Sequence, residues 1–260
     1  MTATVKTAVA DGVARLTLNR PDEMNSFDGD TARAIMDAVE GFAEDDRVRV
    51  LVLESEGNAF SAGGDFNWVL TWPKLDAITR RVGADAMMGA VQAVYDFPKP
   101  SIARVHAAAV GGGVGLMLAC DFAVAASTAR FGLTSVRNGL LAGIAIPVLI
   151  EAVGPRLARQ LLMHGGLFDA ETALRIGLVD QVVAREGLDE TVAGLARGLL
   201  VGAHPVQGVV KGLVPVLDAT PHDQDAAGLI GEHVAAQCTT DEALEGMQAF
   251  LDKRKPRWAS

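Results

Sequence analysis

Val110-Gly111-Gly112-Gly113-Val114-Gly115 and, earlier in the chain, Gly57-Asn58-Ala59-Phe60-Ser61-Ala62-Gly63-Gly64-Asp65 are the stretches on which the reading of this sequence turns. Each follows a run of strand-forming residues, Ser101–Val105 and Val48–Leu53 respectively. Each leads into helical periodicity, the first as an apolar helix to Ala119 and the second over roughly 74–96. A strand, a glycine loop and a helix in succession leave backbone N–H groups unpaired at a helix N-terminus, where the dipole favours negative charge. Glycine also lets a ligand approach the main chain closely. Two such loops can offer two N–H donors to one oxygen, the arrangement of an oxyanion hole. Removing one donor of such a site costs roughly 3–4 kcal/mol of transition-state stabilisation.

Two other readings compete at this point. A phosphate cradle would use G-x-x-x-x-G-K-[ST] or G-x-G-x-x-G. The first is absent, and Leu116 breaks the second after Gly111-Gly112-Gly113-Val114-Gly115. A triple glycine taken alone also suits a purely structural turn.

Working outward, residues 5–10 and 13–18 alternate about Asp11-Gly12, a tight-hairpin signal. Asp28 or Asp30 can cap a helix to about Glu44, with Ile35, Met36, Val39 and Phe42 at helical spacing. Pro98 and Pro100 end the 74–96 helix, and Asp121–Ala126 reads as a strand. Beyond about residue 145 helical periodicity dominates (155–164, 169–176, 188–201, 205–217, 223–237, 240–253), with one strand near Leu178–Val183. Two βαβ-like units followed by helices predict an α/β core with a C-terminal helical appendage.

Composition narrows the function classes. Of 260 residues, 50% are hydrophobic and 21% charged, which suits a packed core rather than disorder. A net charge of -9 argues against a nucleic-acid surface. The basic run Lys253-Arg254-Lys255-Pro256-Arg257 is either a solvated tail or a local anion contact. Cys120 and Cys238 stand far apart, suggesting no disulfide framework and no zinc site, and fitting a reducing cytoplasm. The opening residues Met1-Thr2-Ala3-Thr4-Val5-Lys6 lack the pattern of a signal peptide. The apolar runs Val105–Cys120 and Leu140–Ile150 are too short to span a bilayer and end at Asp121 and Glu151, so they read as core, with no membrane partner expected.

Several further motifs fall in a recognisable order. Leu18-Asn19-Arg20-Pro21 with Met24-Asn25-Ser26, Phe60-Ser61-Ala62-Gly63-Gly64-Asp65, Gly111-Gly112-Gly113 through Ala119-Cys120-Asp121, Phe131-Gly132, Gly177-Leu178-Val179 and Phe250–Pro256 together resemble the crotonase (enoyl-CoA hydratase/isomerase) superfamily over nearly the whole chain. That resemblance implies a crotonase (ClpP-like) spiral of ββα units over 1–195 and a C-terminal helical trimerisation region over 196–260. It implies an acyl-CoA thioester as partner, coenzyme A being part of the substrate and no other cofactor being needed. The N–H groups of Gly64 and Gly112 would bind the thioester oxygen. Ala62 would meet the adenine through its backbone, and Lys253 or Lys255 a CoA phosphate. Asp65 is grouped with these CoA-side residues, although aspartates at positions like 65 and 121 mostly serve loop and strand structure. Homotrimers or dimers of trimers are the expected assemblies.

The chain also departs from that family's pattern. Hydratases place one glutamate two residues after the glycine triplet and another four residues after the phenylalanine of F-G-x-x-E; here those positions are Gly115 and Ser135. An isomerase or dehalogenase aspartate would fall near Gly143. A placed acid or base supplies roughly 10²–10⁴-fold, so efficient hydration is not expected. Ser135 joins Gly64 and Gly112 as the candidate catalytic set, with His106, Arg137 and Asn138 nearby in sequence and Trp68 and Trp72 as candidate acyl-pocket walls. The implied activity is that of an acyl-CoA enzyme acting through a thioester enolate or oxyanion. Decarboxylation, thioester hydrolysis, isomerisation and non-catalytic acyl-CoA binding are the alternatives.

Overall fold

The computed structural model describes residues 3–219 and 224–259; Met1, Thr2 and the first residue of the helix expected over 223–237 lie outside them. The chain opens with antiparallel strands β1 (Val5–Ala10) and β2 (Val13–Leu18). Asp11 and Gly12 both have positive φ, 50° and 80°, the turn geometry that Asp-Gly favours. Helix α1 (Gly29–Glu44) starts at Asp28, whose side chain accepts from the Thr31 N–H at 2.9 Å.

From there the chain repeats one plan. A strand enters a first sheet, a three-residue strand enters a second sheet, and a helix follows. The passes are β3 (Val50–Ser55), β4 (Ala59–Ser61) and the helices α2 (Phe66–Val69) and α3 (Ala77–Tyr95); β5 (Ser101–Val105), β6 (Ala108–Val110) and α4 (Gly112–Leu118); β7 (Phe122–Ala126), β8 (Arg130–Gly132) and α5 (Ile146–His164). Then come β9 (Leu167–Asp169), α6 (Ala170–Arg175), β10 (Gln181–Val183), α7 (Leu188–Leu200), α8 (His204–Asp218), α9 (Gln224–Gln237) and α10 (Asp241–Leu251). Among the described residues the first sheet runs β1-β2-β3-β5-β7-β10 and the second β4-β6-β8-β9. Apart from the β1–β2 and β8–β9 pairs, all neighbours are parallel.

The second sheet holds the second strand of each ββα unit that the family resemblance implies, although the residue pattern alone does not show it. Its strands are three residues long, too short for any period to show. Helix α5 also starts earlier than the expected 155, because Ile146 to Val153 is helical up to a break at Gly154, whose φ of 75° precedes Pro155.

The central strands are buried on both faces, as parallel strands between helices must be. Leu51, Leu53, Ala103, Val105, Ala123 and Ala125 face the larger core with α1 and α3–α5. Val50, Val52, Ile102, Val124 and Ala126 face Leu188, Val192 and Ala196 of α7, which crosses residue 195 while staying packed on the sheet. Helices α8–α10 are less covered: Val210, Val214, Ile230, Val234, Phe250 and Leu251 are exposed.

One guanidinium ties this C-terminal part to the sheet. Arg49, next to β3, donates to the carbonyls of Leu200 (2.8 Å), Gly202 (2.7 Å) and Trp258 (2.8 Å). Arg49→Met leaves those acceptors without a donor and is expected to lower stability by roughly 2–4 kcal/mol. A lower urea midpoint with new protease cleavage between Leu200 and His204 would show it; an unchanged midpoint would refute the anchoring role.

Candidate functional site

The two glycine loops meet because β4 and β6 are parallel neighbours, with Ala59 opposite Ala108 and Ser61 opposite Ala109. The chain therefore leaves both strands at the same edge of the small sheet. Gly63 has φ +84°, and a Cβ there would lie 2.5 Å from the Gly112 nitrogen and 2.9 Å from the Val110 oxygen. Only a glycine permits that approach. Phe27 bridges the first loop: its N–H donates to Gly63 O (2.8 Å) and its carbonyl accepts from Asp65 N (3.1 Å). This pairing skips the N–H of Gly64, which has no partner among the described residues. Gly112 opens α4, at a position where the helix itself supplies no acceptor for the N–H.

A set of buried polar contacts holds the first loop in place. Asn25 has φ 52°, a conformation asparagine tolerates. Its side chain accepts from Arg20 N (2.8 Å) and donates to Glu56 O (2.7 Å) and Ala59 O (2.8 Å). The Ser61 hydroxyl donates to Asn25 O (2.8 Å) and accepts from Gly63 N (3.1 Å). Arg20 reaches Ser26 O (2.9 Å) and Asp65 (2.8 Å). These residues appear in the sequence as parts of recognisable motifs, but their function as a latch emerges only from the fold, since the partners are up to 45 residues apart.

Gly64, Gly112 and Ser135 line one cavity of about 440 Å³, together with Phe66, Val69, Trp72, Ala84, Met87, Met88 and the segment 140–144. Among the described residues no ionisable side chain lines it. The Ser135 hydroxyl makes no hydrogen bond there among the described residues and lies 3.4 Å from where a Gly111 Cβ would be. Gly143 also lines the cavity, and a Cβ on it would make only ordinary contact with Leu141. Gly115 differs: it is buried, and a Cβ would sit 3.2 Å from Ala145 Cα and 3.3 Å from Ile144 O.

The remaining candidates fall outside this cavity. Arg137 and Asn138 are exposed, and Arg137 leans on His164 O (3.4 Å). His106 is buried at the end of β5, with Nε2 2.9 Å from Gly57 O. Asp65 accepts from Asn67 N and Trp68 N and pairs with Arg20, so its carboxylate serves the loop and the start of α2 rather than a ligand. Asp121 is similarly spent on Ser101 and on Lys211 of α8. Ala62 is half-buried on the loop, its N–H bonded to Met24 O, while Lys253 is exposed beyond α10. Trp72 lines the cavity and Trp68 packs behind it. Met87, Met88 and Ile144 were not anticipated as cavity walls; the small pair Gly83-Ala84 before Met87 is the only local sign of a recess. A larger cavity of about 740 Å³ lies apart from the glycine loops, lined in part by Tyr95, Cys120, Glu151 and Lys211.

The sequence model of the enoyl-CoA hydratase/isomerase family matches residues 8–260. The chain belongs to that family. It is 35% identical to the crotonyl-CoA hydratase of Syntrophomonas wolfei, over 95% of this chain and 95% of the relative. It is 31% identical to the carnitinyl-CoA dehydratase of Salmonella typhi, over 95% and 94%. A crystal structure of an enoyl-CoA hydratase from Shewanella pealeana superposes with a TM-score of 0.94 at 30% identity, covering 98% of this chain and 96% of that one. The expected crotonase-type α/β fold is therefore the observed one, and its enoyl-CoA hydratase/isomerase relatives share it end to end.

Two predictions follow from the geometry. Gly63→Ala must either abandon a positive φ or collide with Gly112, and is expected to lower stability by roughly 1–3 kcal/mol with loss of acyl-CoA binding; wild-type binding by calorimetry would refute the close approach. The second concerns acid. His106 is held below the ordinary histidine range, mainly by burial and with Arg104 and Arg185 adding to it; His204 is lowered by burial, Arg49 and Lys99. The unfolded chain therefore takes up protons at these sites first, so stability is full above about pH 6.5 and falls as pH drops through the folded values. Asp45 and Glu245, at about 2, act only in far stronger acid. Melting temperature should fall from pH 7 to 5, and His106→Asn should flatten that fall; an equally steep fall in the variant would refute it.

Proposed function

We propose that this protein binds an acyl-CoA thioester with its carbonyl oxygen between the N–H groups of Gly64 and Gly112, and stabilises the enolate or oxyanion formed there. The observation that carries this reading is the seating of Gly63 against Gly112, which brings both amides to the edge of one apolar cavity. Two donors in a water-poor setting stabilise developing negative charge far better than they would in water. Coenzyme A, carried by the substrate, is the only cofactor this reading requires. Ala62 and the basic residues Lys253 and Lys255 remain its candidates for the nucleotide end.

The same cavity argues against ordinary hydration as the main activity, because no carboxylate faces it among the described residues. It also disfavours a carboxylated acyl group, and so the decarboxylase alternative, because Arg137 stands outside the lining. Thioester hydrolysis would lack a base beside Ser135. This absence of ionisable groups specifically favours the second reading, an acyl-CoA-binding protein without turnover. The exposed apolar side chains of α8–α10 support assembly into a homotrimer or dimer of trimers through residues 196–260.

With crotonyl-CoA, hydration is expected at least roughly 100-fold below that of a glutamate-bearing relative. Ser135→Glu, at a position that lines the cavity, should raise it at least roughly tenfold. Vigorous hydration by the wild type would refute the reading, whereas calorimetric binding of acyl-CoAs without turnover of any would decide for the second.

A further inference from the structure

One wall of the cavity is built from rings standing on glycines. Trp68 at the end of the short α2 and Trp72 in the turn before α3 meet edge to face, with centroids 5.1 Å apart and planes at 87°. Both rings rest on Gly83 of α3, where a Cβ would lie 3.1 Å from each. The Trp68 ring also covers Gly29 at the start of α1, where a Cβ would come within 3.2 Å. Even a methyl group at Gly83 would make both rings give by a few tenths of an ångström, so the pair packs closely on the glycine. Its backbone is fixed at the near end by Asp65, which accepts from Trp68 N (3.3 Å) while pairing with Arg20. Of the two rings, only Trp72 lines the cavity.

We propose that this cavity takes a large, uncharged hydrocarbon acyl group and that Trp72, braced by Trp68 on Gly83 and Gly29, sets the length it accepts. This rests on the acyl-CoA reading and goes beyond it to the substrate class. The volume, about 440 Å³, equals that of roughly fifteen water molecules in the liquid, well beyond the need of a four-carbon acyl group. Met87 and Met88 supply flexible, polarizable surface that fits chains of variable shape. Phe66 and Leu141 line the cavity and are 47% and 80% exposed, so its rim is apolar as well. A carboxylate at the end of the acyl group would find no cation there and would lose its hydration.

Each methylene buried in such a cavity strengthens binding about fourfold. The test is calorimetric titration of the wild type, Trp72→Ala and Ala84→Leu with free CoA and with butyryl-, octanoyl-, dodecanoyl- and succinyl-CoA. The wild type should bind octanoyl-CoA at least ~10-fold more tightly than butyryl- or succinyl-CoA. Trp72→Ala should shift the preference toward dodecanoyl-CoA. Ala84→Leu, which narrows the recess from the α3 side, should shift it toward butyryl-CoA and keeps the test decisive if the tryptophan variant does not fold. Equal binding of butyryl- and octanoyl-CoA, or an unchanged ranking in a folded variant, would overturn the length proposal while leaving the acyl-CoA reading intact. Failure of every thioester to bind would overturn both.

Discussion

Everything at the site depends on a parallel pairing three residues long. β4 and β6 run side by side, and the chain leaves both at the same edge, so two turns distant in sequence are forced into contact. The contact closes only because Gly63 presents no side chain toward the nitrogen of Gly112. A methyl group there would push the loops apart, and the free amides beyond them would no longer border the same space. Around this point the latch of Asn25, Ser61, Arg20 and Asp65 satisfies nearly every polar group of the first loop. Among the described residues the N–H of Gly64, at the cavity border, is given no partner. A backbone donor without an acceptor is costly where water is excluded; at the border of a cavity it is available to a ligand, which is the basis of the proposed binding mode.

The long strands, the hairpin at Asp11-Gly12 and most helices can be read from the sequence because each carries its own period or punctuation. Val50, Val52 and Leu51, Leu53 form a continuous apolar run, and both cores claim alternate members of it. The two glycine loops are equally visible. What is hidden is what joins them. Strands of three residues have no readable period, and Asn25 looks like any turn asparagine until its side chain is seen spanning Glu56 and Ala59. The cavity walls are hidden for a similar reason. Met87, Met88 and Ile144 are ordinary helix and core residues by local pattern, and only packing turns them inward. Aspartates show the converse: Asp65 sits in the most site-like motif of the chain, yet its charge is consumed by Arg20 and two helix amides.

The same distinction governs His106. It lies at the end of a central strand beside a glycine loop, which in sequence suggests chemistry. In the fold it touches Gly57, between β3 and β4, and is not among the described residues that line the cavity. Its burial and the neighbouring arginines favour the neutral ring, so its influence is on stability in mild acid rather than on substrate.

The two positions at which the family resemblance leads one to expect glutamate, 115 and 135, are not equivalent here. Ser135 already carries a side chain at the border of the cavity. Gly115 lies under the turn formed by Ile144 and Ala145, with backbone atoms of that turn at 3.2 and 3.3 Å from where its side chain would begin. A carboxylate there would need the turn to retreat, and Ile144 is itself part of the cavity wall and lies over Gly112, whose Cβ would strike it. Space that an acid would occupy has been given to hydrocarbon. The apolar wall and the lack of room beside Gly115 are thus two consequences of one packing arrangement, in which the segment 140–145 closes down on α4.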